Sequence, residues 1–573
     1  MYLKKTPTSN GRIRLSIVDS YYDKKKKCSR QTTIESLGFL DDLQKKYDDP
    51  IVFFSSRVEQ LKKEKAEKKS DLIFSYNPNE KLEKDSITRK NIGYAPLSTI
   101  YHTLGIDTFL INRQRHSKIE YNANHIMELL VYSRLLYPHS KKKTFESKEN
   151  FFIKSNYSLD DVYRFLTFIS KYEEELQQWL NEQVKLHYQR DTSIIYYDVT
   201  NYYFETDNIT DFKRKGVCKE HRPNPIVQMG LFMDNNGLPI TYELFSGNTN
   251  DCLTYRPNFG RIKKNYNFGR VISVADKGMT SGDNIWYTTH TPDKDGYVFS
   301  MSVRGANKEL KKYVLDEEDY TWLGTEYKRK SRLYPRTIQV TTTTGKKMDK
   351  IVDEKQVVFY SEKYAKRAKA DRAVAIAKAY DLTTHPGKYT QSTSYGANKY
   401  VKKIEYDKET GEILTAKSIL EFDEEKLKAE EALDGYYVIV TSEYKESDDR
   451  IIEIYRGLWK IEESFKITKS ELEARPVYVS REDHIHAHFL TCFIALLIIR
   501  ILQMETQNKF SIKRLLESMQ KAECSHLQKN YYLSDYYDDV LEELELLYKI
   551  PYSNKIHSLG EIKKFLASTK KAK

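Results

Sequence analysis

The sequence predicts an α/β fold in which one sheet is interrupted by a long polar segment. Its apolar stretches are short enough for buried strands, and two of them flank a hairpin-type turn at Asp234-Asn235-Asn236-Gly237. Longer segments that repeat apolar residues every three or four positions predict helices after the strands. The predicted strands are 194–199, 226–233, 238–245, 271–275, 297–300 and 436–441, and the later helices are 448–472 and 483–503. Strands in a meander, then helix and strand in alternation, are typical of an α/β core.

Residues 1–115 are predicted to form a β and helical region that binds DNA. Ile13, Leu15 and Ile17 alternate with Arg12, Arg14 and Ser16, which predicts a strand with one basic face. A charged tip at Lys24–Lys27 and a second extended stretch at Thr32–Leu37 follow. The pair is either a β-ribbon presented to DNA phosphates or a solvated hairpin. The charged segment Ser56–Ser70 is predicted to be a surface helix or linker.

Residues 116–190 are predicted to be helical. Ser158 and Asp161 have the spacing of an N-cap pair, and Pro138 together with the basic run Lys141–Lys143 is predicted to interrupt the helical pattern. Short helices separated by a basic turn suit a DNA-binding or dimerisation module, and a plain helical bundle is the alternative.

The rest of the chain divides into four predicted segments. Residues 191–305 and 431–510 are the two parts of the α/β core, 306–430 is a polar, lysine-rich and β-rich insertion, and 511–573 is a helical tail. Within the insertion we expect strands at Thr337–Thr343 and Gln356–Tyr360, a helix at Tyr364–Tyr380 and an extended piece near Ser418–Phe422.

Composition excludes several classes of protein. The net charge of +12 permits nucleic-acid binding without requiring it. The longest apolar run, Phe489–Ile499, has about half of the roughly twenty residues that a membrane span needs, so no membrane association is expected. Five scattered cysteines with no CxxC pair indicate a reducing compartment. There is no Walker A pattern and no HExxH motif.

Three acidic residues are the candidates for chemistry. Asp198 interrupts one apolar strand and Asp276 ends another, and a carboxylate in such a position is costly unless it is paired or bound to a metal. In the helix predicted at 448–472, Tyr455, Glu462 and Lys469 are seven residues apart. Two helical turns span about 7.2 residues, so their side chains are expected to share one face.

Together these residues resemble the DDE transposases of bacterial insertion sequences, in the subgroup with the Y-R-E-K signature. Tyr455, Glu462 and Lys469 match the signature at its spacing, whereas Leu458 stands at the position of its arginine. Asp198 with Thr200 resembles the family's first catalytic segment, and Asp276-Lys277-Gly278 resembles the second. The resemblance covers about residues 190–505.

The resemblance implies a ribonuclease H-like core with a β-rich insertion between the second Asp and the Glu. Asp198, Asp276 and Glu462 would be catalytic and would hold two Mg²⁺ or Mn²⁺ ions for phosphoryl transfer on DNA. The expected DNA-binding side chains are Tyr455, Lys469, Trp459, Arg456, Lys466 and Trp322. The implied partners are double-stranded DNA, as transposon ends and as target, and a second copy of the chain bound with that DNA.

The implied function is transposition of the cut-and-paste type from terminal inverted repeats, in the bacterial cytoplasm and at the nucleoid when active. A catalytically inactive, element-derived DNA-binding protein is the first alternative, because Leu458 departs from the signature. Another metal-dependent nuclease of the same fold is the second alternative.

Overall fold

The computed structural model describes residues 1–573 except 9, 24–27, 68–71, 73, 80, 82–83, 85, 218–222, 385–398, 405–418 and 572–573. The chain forms two compact units, Met1–Lys84 and Asp85–Lys573.

The first unit is a three-stranded antiparallel sheet with two helices. Its elements are β1 Tyr2–Pro7, β2 Ile13–Asp23, β3 Cys28–Phe39, α1 Leu40–Leu43 and α2 Pro50–Glu67. Both predicted strands are confirmed, and the predicted tip at 24–27 lies outside the described residues. The helix begins earlier than the charged segment suggested, because Asp49 accepts hydrogen bonds from the Ile51 and Val52 amides and Pro50 opens the first turn.

The second unit begins with a helical region. Its elements are β4 Arg89–Asn91, α3 Ala95–Thr103, α4 Ile106–Arg115, α5 Ala123–Leu136, α6 Lys141–Glu146, α7 Leu159–Ile169 and α8 Glu173–Tyr188. Ser158 and Asp161 form the predicted capping box of α7. The predicted break is present at Pro138, between α5 and α6, but the part assigned to Lys141–Lys143 is wrong, because Ser140 caps a helix that begins at Lys141.

A nine-stranded mixed sheet forms the centre of the second unit. Its strands include β5 Ile194–Tyr203, β6 Ile226–Asp234, β7 Pro239–Ser246, β8 Ile272–Ala275 and β9 Gly296–Met301, with α9 Asp251–Asn265 and α10 Gly282–Thr289 between them. The spatial order of these five strands is β7-β6-β5-β8-β9. β5, β8 and β9 are parallel to one another, and β6 and β7 are antiparallel to their neighbours.

The polar segment extends this sheet. Its elements are α11 Lys308–Leu315, β10 Thr321–Leu323, β11 Tyr327–Thr341, β12 Lys347–Ser361, α12 Glu362–Thr384, β13 Val401–Ile404, β14 Ile419–Phe422 and α13 Glu424–Glu431. β15, Tyr436–Thr441, lies between β9 and β12, so the sheet continues as β9-β15-β12-β11-β10. The strands predicted within the segment are present in β11 and β12 but are much longer than predicted.

Helices and a small second sheet complete the chain. These elements are α14 Asp448–Arg456, α15 Trp459–Ser470, α16 Glu482–Glu505, α17 Ile512–Lys521, β16 Glu523–His526, β17 Tyr531–Ser534, α18 Asp539–Tyr548, β18 Ile556–Ser558 and α19 Leu559–Ser568. The purely helical tail is a wrong prediction, because β16 pairs with β4 of the helical region and β17 and β18 extend that sheet. Such pairing across more than 400 residues leaves no local sequence signal.

The helix predicted at 448–472 is divided into two helices, α14 and α15. The single helix over 448–472 is wrong, because the chain turns at Gly457 and Leu458 and then resumes as α15. The Leu458 amide donates to the Tyr455 carbonyl, and the Lys460 amide donates to the Gly457 carbonyl. Hydrogen bonds of the 3₁₀ type, to the third preceding residue, therefore replace α-helical ones across the break.

The core helix of the second unit is α16. It is long and apolar enough to cross a membrane by length and composition, but 94% of its apolar window is buried inside the protein. The helix continues through Arg500, which closes the apolar run in the sequence, because the buried guanidinium donates to Glu463 and Ser464 of α15. α16 therefore packs against the helices that carry part of the candidate site.

Candidate active site

Two of the three candidate carboxylates lie on adjacent parallel strands. The register of β5 and β8 runs from Ile194 opposite Ile272 to Tyr197 opposite Ala275. Asp198 and Asp276 are the next residues along the two strands, and neighbouring strands lie about 4.8 Å apart. The fold therefore brings together two residues that are far apart in the sequence.

Both carboxylates are on the face of the sheet that α14 and α15 cover. Successive side chains of a strand alternate between faces, so Asp198 shares its face with Tyr196, and Asp276 shares its face with Val274. Tyr196 and Val274 belong to the apolar cluster that includes Ile454 and Ile461. The intervening residues Tyr197 and Ala275 belong to the cluster on the opposite face.

Ser300 extends the polar edge to a third parallel strand. Ala275 lies opposite Phe299, so Ser300 follows in register with Asp276. The Ser300 hydroxyl donates a hydrogen bond of 2.9 Å to Asp276 Oδ1, which also accepts from the Lys277 amide at 2.6 Å. Sequence reasoning missed Ser300, although a polar residue at the end of an apolar strand was the signal that singled out Asp276.

Glu462 and Tyr455 line the same cleft as Asp276. The cleft has a volume of about 490 Å³, and Glu462 is an exposed residue at its wall. Burial raises the pKa of the Tyr455 phenol, the charges of Asp276 and Glu462 raise it further, and a hydrogen bond with Ser300 opposes both. Tyr455 is therefore a neutral hydroxyl beside the two carboxylates.

A glycine sets the position of the two helices over the sheet. A β-carbon built on Gly457 would lie 2.0 Å from the Tyr196 hydroxyl oxygen. Only a residue without a side chain allows the break between α14 and α15 to approach β5 this closely. Tyr196 precedes Asp198 by two residues on the same face, so this contact fixes the α14–α15 corner beside the candidate site.

Lys469 lies on α15 and reaches the strand that carries Asp198. Its Nζ donates a hydrogen bond of 2.6 Å to the Thr200 hydroxyl, and its ammonium lies 5.6 Å from the centre of the Tyr202 ring. Thr200 is on the face of Asp198, two residues farther along β5. The Lys469 side chain is partly buried, whereas a residue on a solvent-facing side of the helix would be fully solvated.

The position of the signature arginine is filled by a core residue. Leu458 is 6% exposed and packs in the apolar cluster of the second unit, and it also lines the cleft. Arg456 is exposed and lines the cleft together with Asp276 and Glu462. A continuous helix would have turned Arg456 onto another face, but across the break at Gly457 it lines the same cleft as Glu462.

The remaining predicted DNA-binding residues fall in three places. Trp459 is 55% exposed and lines the cleft, and Lys466 is exposed on α15, about one turn beyond Glu462. Trp322 is 52% exposed but lies on β10, which three strands separate from β9, and Lys328 lies 5.4 Å from the centre of its ring. The structure therefore brings Trp459 to the carboxylates but places Trp322 at the sheet edge.

The donor set suits a divalent cation, although its members are not gathered around one point. Mg²⁺ and Mn²⁺ prefer carboxylate oxygens, which Asp198, Asp276 and Glu462 supply on one face. Within the described ranges, no group of three or more His, Cys, Asp or Glu side chains lies close enough together to hold a metal ion. Asp198 Oδ1 instead accepts a 2.7 Å hydrogen bond from the Val199 amide.

The histidines of α16 contact three different partners. His484 contacts Thr167, His486 contacts Glu173, and His488 contacts the Ala474 carbonyl. They are side chains that join α16 to its neighbours. Cys218 and His221 lie outside the described residues.

One protein-family model matches more than half of the chain. A model of the transposase DDE domain matches residues 190–498, from just before β5 into α16. No curated protein matches the sequence.

Two solved structures are similar at low identity. The piggyBac transposase in a synaptic complex with hairpin DNA has 9% identity and a TM-score of 0.40, over 75% of this chain and 80% of that chain. The Mos1 transposase in a paired-end complex with the left transposon end has 16% identity and a TM-score of 0.12, over 29% of this chain and 55% of that chain. Both TM-scores are low, so the family assignment rests on the sequence match.

Proposed function

The chain belongs to the transposase DDE domain family, and we propose that it is an active transposase of a bacterial insertion sequence that binds terminal inverted repeats and cuts and joins DNA strands. The observation that carries the proposal is the register that makes Asp198 and Asp276 neighbours on parallel strands, with Glu462 on the same face. The cut-and-paste route, the Y-R-E-K subgroup and action at the bacterial nucleoid belong to the same proposal.

The proposed core is ribonuclease H-like. The order β7-β6-β5-β8-β9, with β5, β8 and β9 parallel and β6 antiparallel, supports it. In this arrangement the ends of the parallel strands supply two acids and the later helix α15 supplies the third. The long β11–β12 hairpin and the elements around it occupy the interval between the second and third acids, where the resemblance expects an insertion.

Asp198, Asp276 and Glu462 are the proposed ligands of two Mg²⁺ or Mn²⁺ ions. Bound metal would supply Lewis-acid stabilisation of charge on the attacking and leaving oxygens of a phosphodiester. The chain's own residues would orient those ligands. Ser300 holds Asp276 by its hydrogen bond, and the Gly457 contact holds the α14–α15 corner over β5.

The proposed DNA contacts surround the cleft. Arg456 and Lys469 are the cations for phosphates near the cleaved end, and the neutral hydroxyl of Tyr455 is a hydrogen-bond donor beside them. The exposed indole of Trp459 is placed to stack on a base at a distorted end. Lys466 is a phosphate contact farther along α15, and Trp322 would contact DNA beyond the cleft.

A catalytically inactive DNA-binding protein is the second candidate. The buried Leu458 at the signature arginine position favours it, because this residue cannot bind phosphate. Arg456 at the cleft wall favours the active enzyme, because a guanidinium is present beside the acids. A homodimer on paired DNA ends is proposed for either case.

Cleavage by the full chain tests the proposal. The protein is incubated with duplexes that carry its element's ends and with Mg²⁺ or Mn²⁺, beside Asp276→Asn, Glu462→Gln and the matched control Glu471→Gln at the C-cap of α15. We expect end-specific cleavage and strand joining by the wild type and Glu471→Gln, and loss of both by the other two. End binding without cleavage in either metal would support the inactive candidate.

A further inference from the structure

We propose that the open face of the N-terminal sheet reads base edges in the major groove of the element's end. This face carries Tyr2, Lys4, Arg14, Gln31 and Ser36. The inference deepens the proposed function and rests on it, because it names the surface that would recognise the DNA sequence.

One face of the sheet is already covered. Leu15 and Ile17 are 0% exposed, and Glu35, which pairs with Ile17, lines a groove with Phe53 and Phe54 of α2. Because paired residues in a sheet share a face, α2 lies on the side of Leu15 and Ile17. The residues of β2 that alternate with Leu15 and Ile17, including Arg14 and Ser16, therefore point away from the helix.

The other face is a fixed row of hydrogen-bonding groups. Lys4 Nζ donates to Gln31 Oε1 at 2.7 Å, and Gln31 Nε2 donates to the Tyr2 hydroxyl at 2.6 Å. Arg14 donates to the Ser36 hydroxyl at 3.0 Å. These bonds cross from β1 to β3 and from β2 to β3, so the row spans the width of the sheet.

The charge of this face is of one sign. By alternation and pairing, the residues of β1–β3 that share it include 2, 4, 6, 14, 16, 18, 20, 29, 31, 33, 36 and 39; none of these is Asp or Glu, and of these only Val18, at 2% exposed, is buried. The carboxylates of the strands, Asp19 and Glu35, belong to the opposite face. Arg12 precedes Arg14 on the basic face, but Asp41 and Asp42 neutralise it.

These side chains are suited to base edges as well as to phosphates. Arginine pairs with guanine and glutamine with adenine in the major groove, which admits a β-ribbon. An amide has two N–H donors and two acceptor lone pairs, so Gln31 keeps one donor and one acceptor after its bonds to Lys4 and Tyr2. The residues of β3 from Cys28 to Ser36 are all exposed, which leaves that strand accessible.

Duplex DNA is therefore the favoured occupant over a second copy of the chain. A face with two cations and no carboxylate complements a polyanion, whereas two such faces would repel each other. The hydroxyl and amide groups add the donors and acceptors that sequence recognition needs.

Selection from a duplex library tests the inference with the full chain. The probe is a pool of duplexes with a random central segment, from which bound sequences are recovered and then titrated by fluorescence anisotropy at several salt concentrations. We expect Arg14→Ala to weaken binding of the selected duplex about tenfold. Gln31→Ala should relax the selected sequence while leaving the salt slope unchanged, because an amide carries no charge.

Matched controls lie on the opposite side of the same unit. Lys46→Ala and Arg57→Ala also remove one positive charge each, but both residues are beside α2 in the groove that Glu35 lines. They should keep the affinity within about twofold and keep the selected sequence. Thermal unfolding of every variant identifies misfolding, and Arg14→Gln, which retains hydrogen bonding, replaces Arg14→Ala if that variant unfolds.

The outcomes separate this inference from the proposed function. Normal binding and selection by the Arg14 and Gln31 variants of a cleaving enzyme overturns the inference alone. If the wild type never cleaves DNA but the Arg14 and Gln31 variants still lose binding or sequence selection, the inference is supported and the proposed enzymatic function is rejected. If the Arg14 or Gln31 variant differs from the wild type in oligomeric state without DNA, this face binds a second copy of the chain, and the inference is overturned.

Discussion

Gly457 lies against Tyr196, where a β-carbon would fall 2.0 Å from the tyrosine hydroxyl oxygen. The contact joins the break between α14 and α15 to the strand that carries Asp198. Tyr196 is fully packed in the core, so it has little freedom to move aside. This glycine therefore couples the position of Glu462 to that of the strand acids.

Gly457→Ala is expected to destabilise the protein by about 1–3 kcal/mol, because the added methyl group must displace the Tyr196 ring or the helix corner. Cleavage should fall more than the loss of folded protein explains, since Glu462 moves with the corner. Thermal unfolding and cleavage of element ends measure the two effects. Gly269→Ala is the control, because nothing lies within 4 Å of its added carbon. Wild-type cleavage by Gly457→Ala would contradict the coupling.

The acids were predictable from the sequence because strand ends are local signals. Asp198 and Asp276 stand out against apolar neighbours, and parallel pairing then aligns them. The break at Gly457 was not predictable, because the residue that this corner approaches, Tyr196, lies some 260 residues away in the sequence. The same break brings Arg456 to the cleft, a position that helical periodicity had assigned to another face.

Longer-range pairing limited the fold prediction in the same way. The strands of the tail pair with β4, and β12 pairs with β15 to extend the main sheet. Composition marked residues 306–430 as different, but only pairing partners could show that β11 and β12 continue the sheet.

Lys469→Ala is expected to weaken binding of the element's end and to reduce the slope of log affinity against log salt by about one, because one phosphate contact is lost. The variant also removes the hydrogen bond to Thr200, so Thr200→Val serves as a control that removes that bond but keeps the charge. Anisotropy titrations at several salt concentrations give the slopes. An unchanged slope for Lys469→Ala would remove its proposed phosphate role.

The stabilising contribution of one histidine of α16, His486, is expected to fall as the pH rises above about 6.5. Burial opposes the charged form of His486, but its 2.6 Å hydrogen bond to Glu173 and the charges of Glu173, Glu482 and Asp483 outweigh burial and raise its pKa above 6.5. The folded state therefore binds this proton more tightly than the unfolded chain does. The stabilisation is fully present below pH 6.5 and is lost as the pH rises through the raised pKa.

Urea unfolding at about pH 6 and about pH 8.5 measures this contribution, which should be on the order of 1 kcal/mol. His486→Phe keeps the ring that stacks on Phe212 but cannot bind a proton, so the stability of the wild type relative to this variant should fall between the lower and the higher pH. His116→Phe, at the exposed end of α4, should leave the profile unchanged. Equal slopes for the wild type and His486→Phe would show that other groups cause the dependence.

Arg456 and Leu458 should respond in opposite ways to substitution. Arg456→Ala removes an exposed cation from the cleft, so we expect normal stability, weaker binding of the element's end and slower cleavage. Leu458→Ala empties part of the core, so we expect a loss of about 2–5 kcal/mol with little change in DNA affinity of the folded fraction. Leu458→Arg, which restores the residue of the signature, should destabilise the protein and fail to rescue Arg456→Ala, because position 458 lies at the cleft wall but is 6% exposed and packed in the apolar cluster. Chemical denaturation measures the stability of all three variants, titrations measure their affinity for the element's end, and cleavage assays use the same preparations. Rescue of Arg456→Ala by Leu458→Arg would show that the signature position faces the DNA in the working complex.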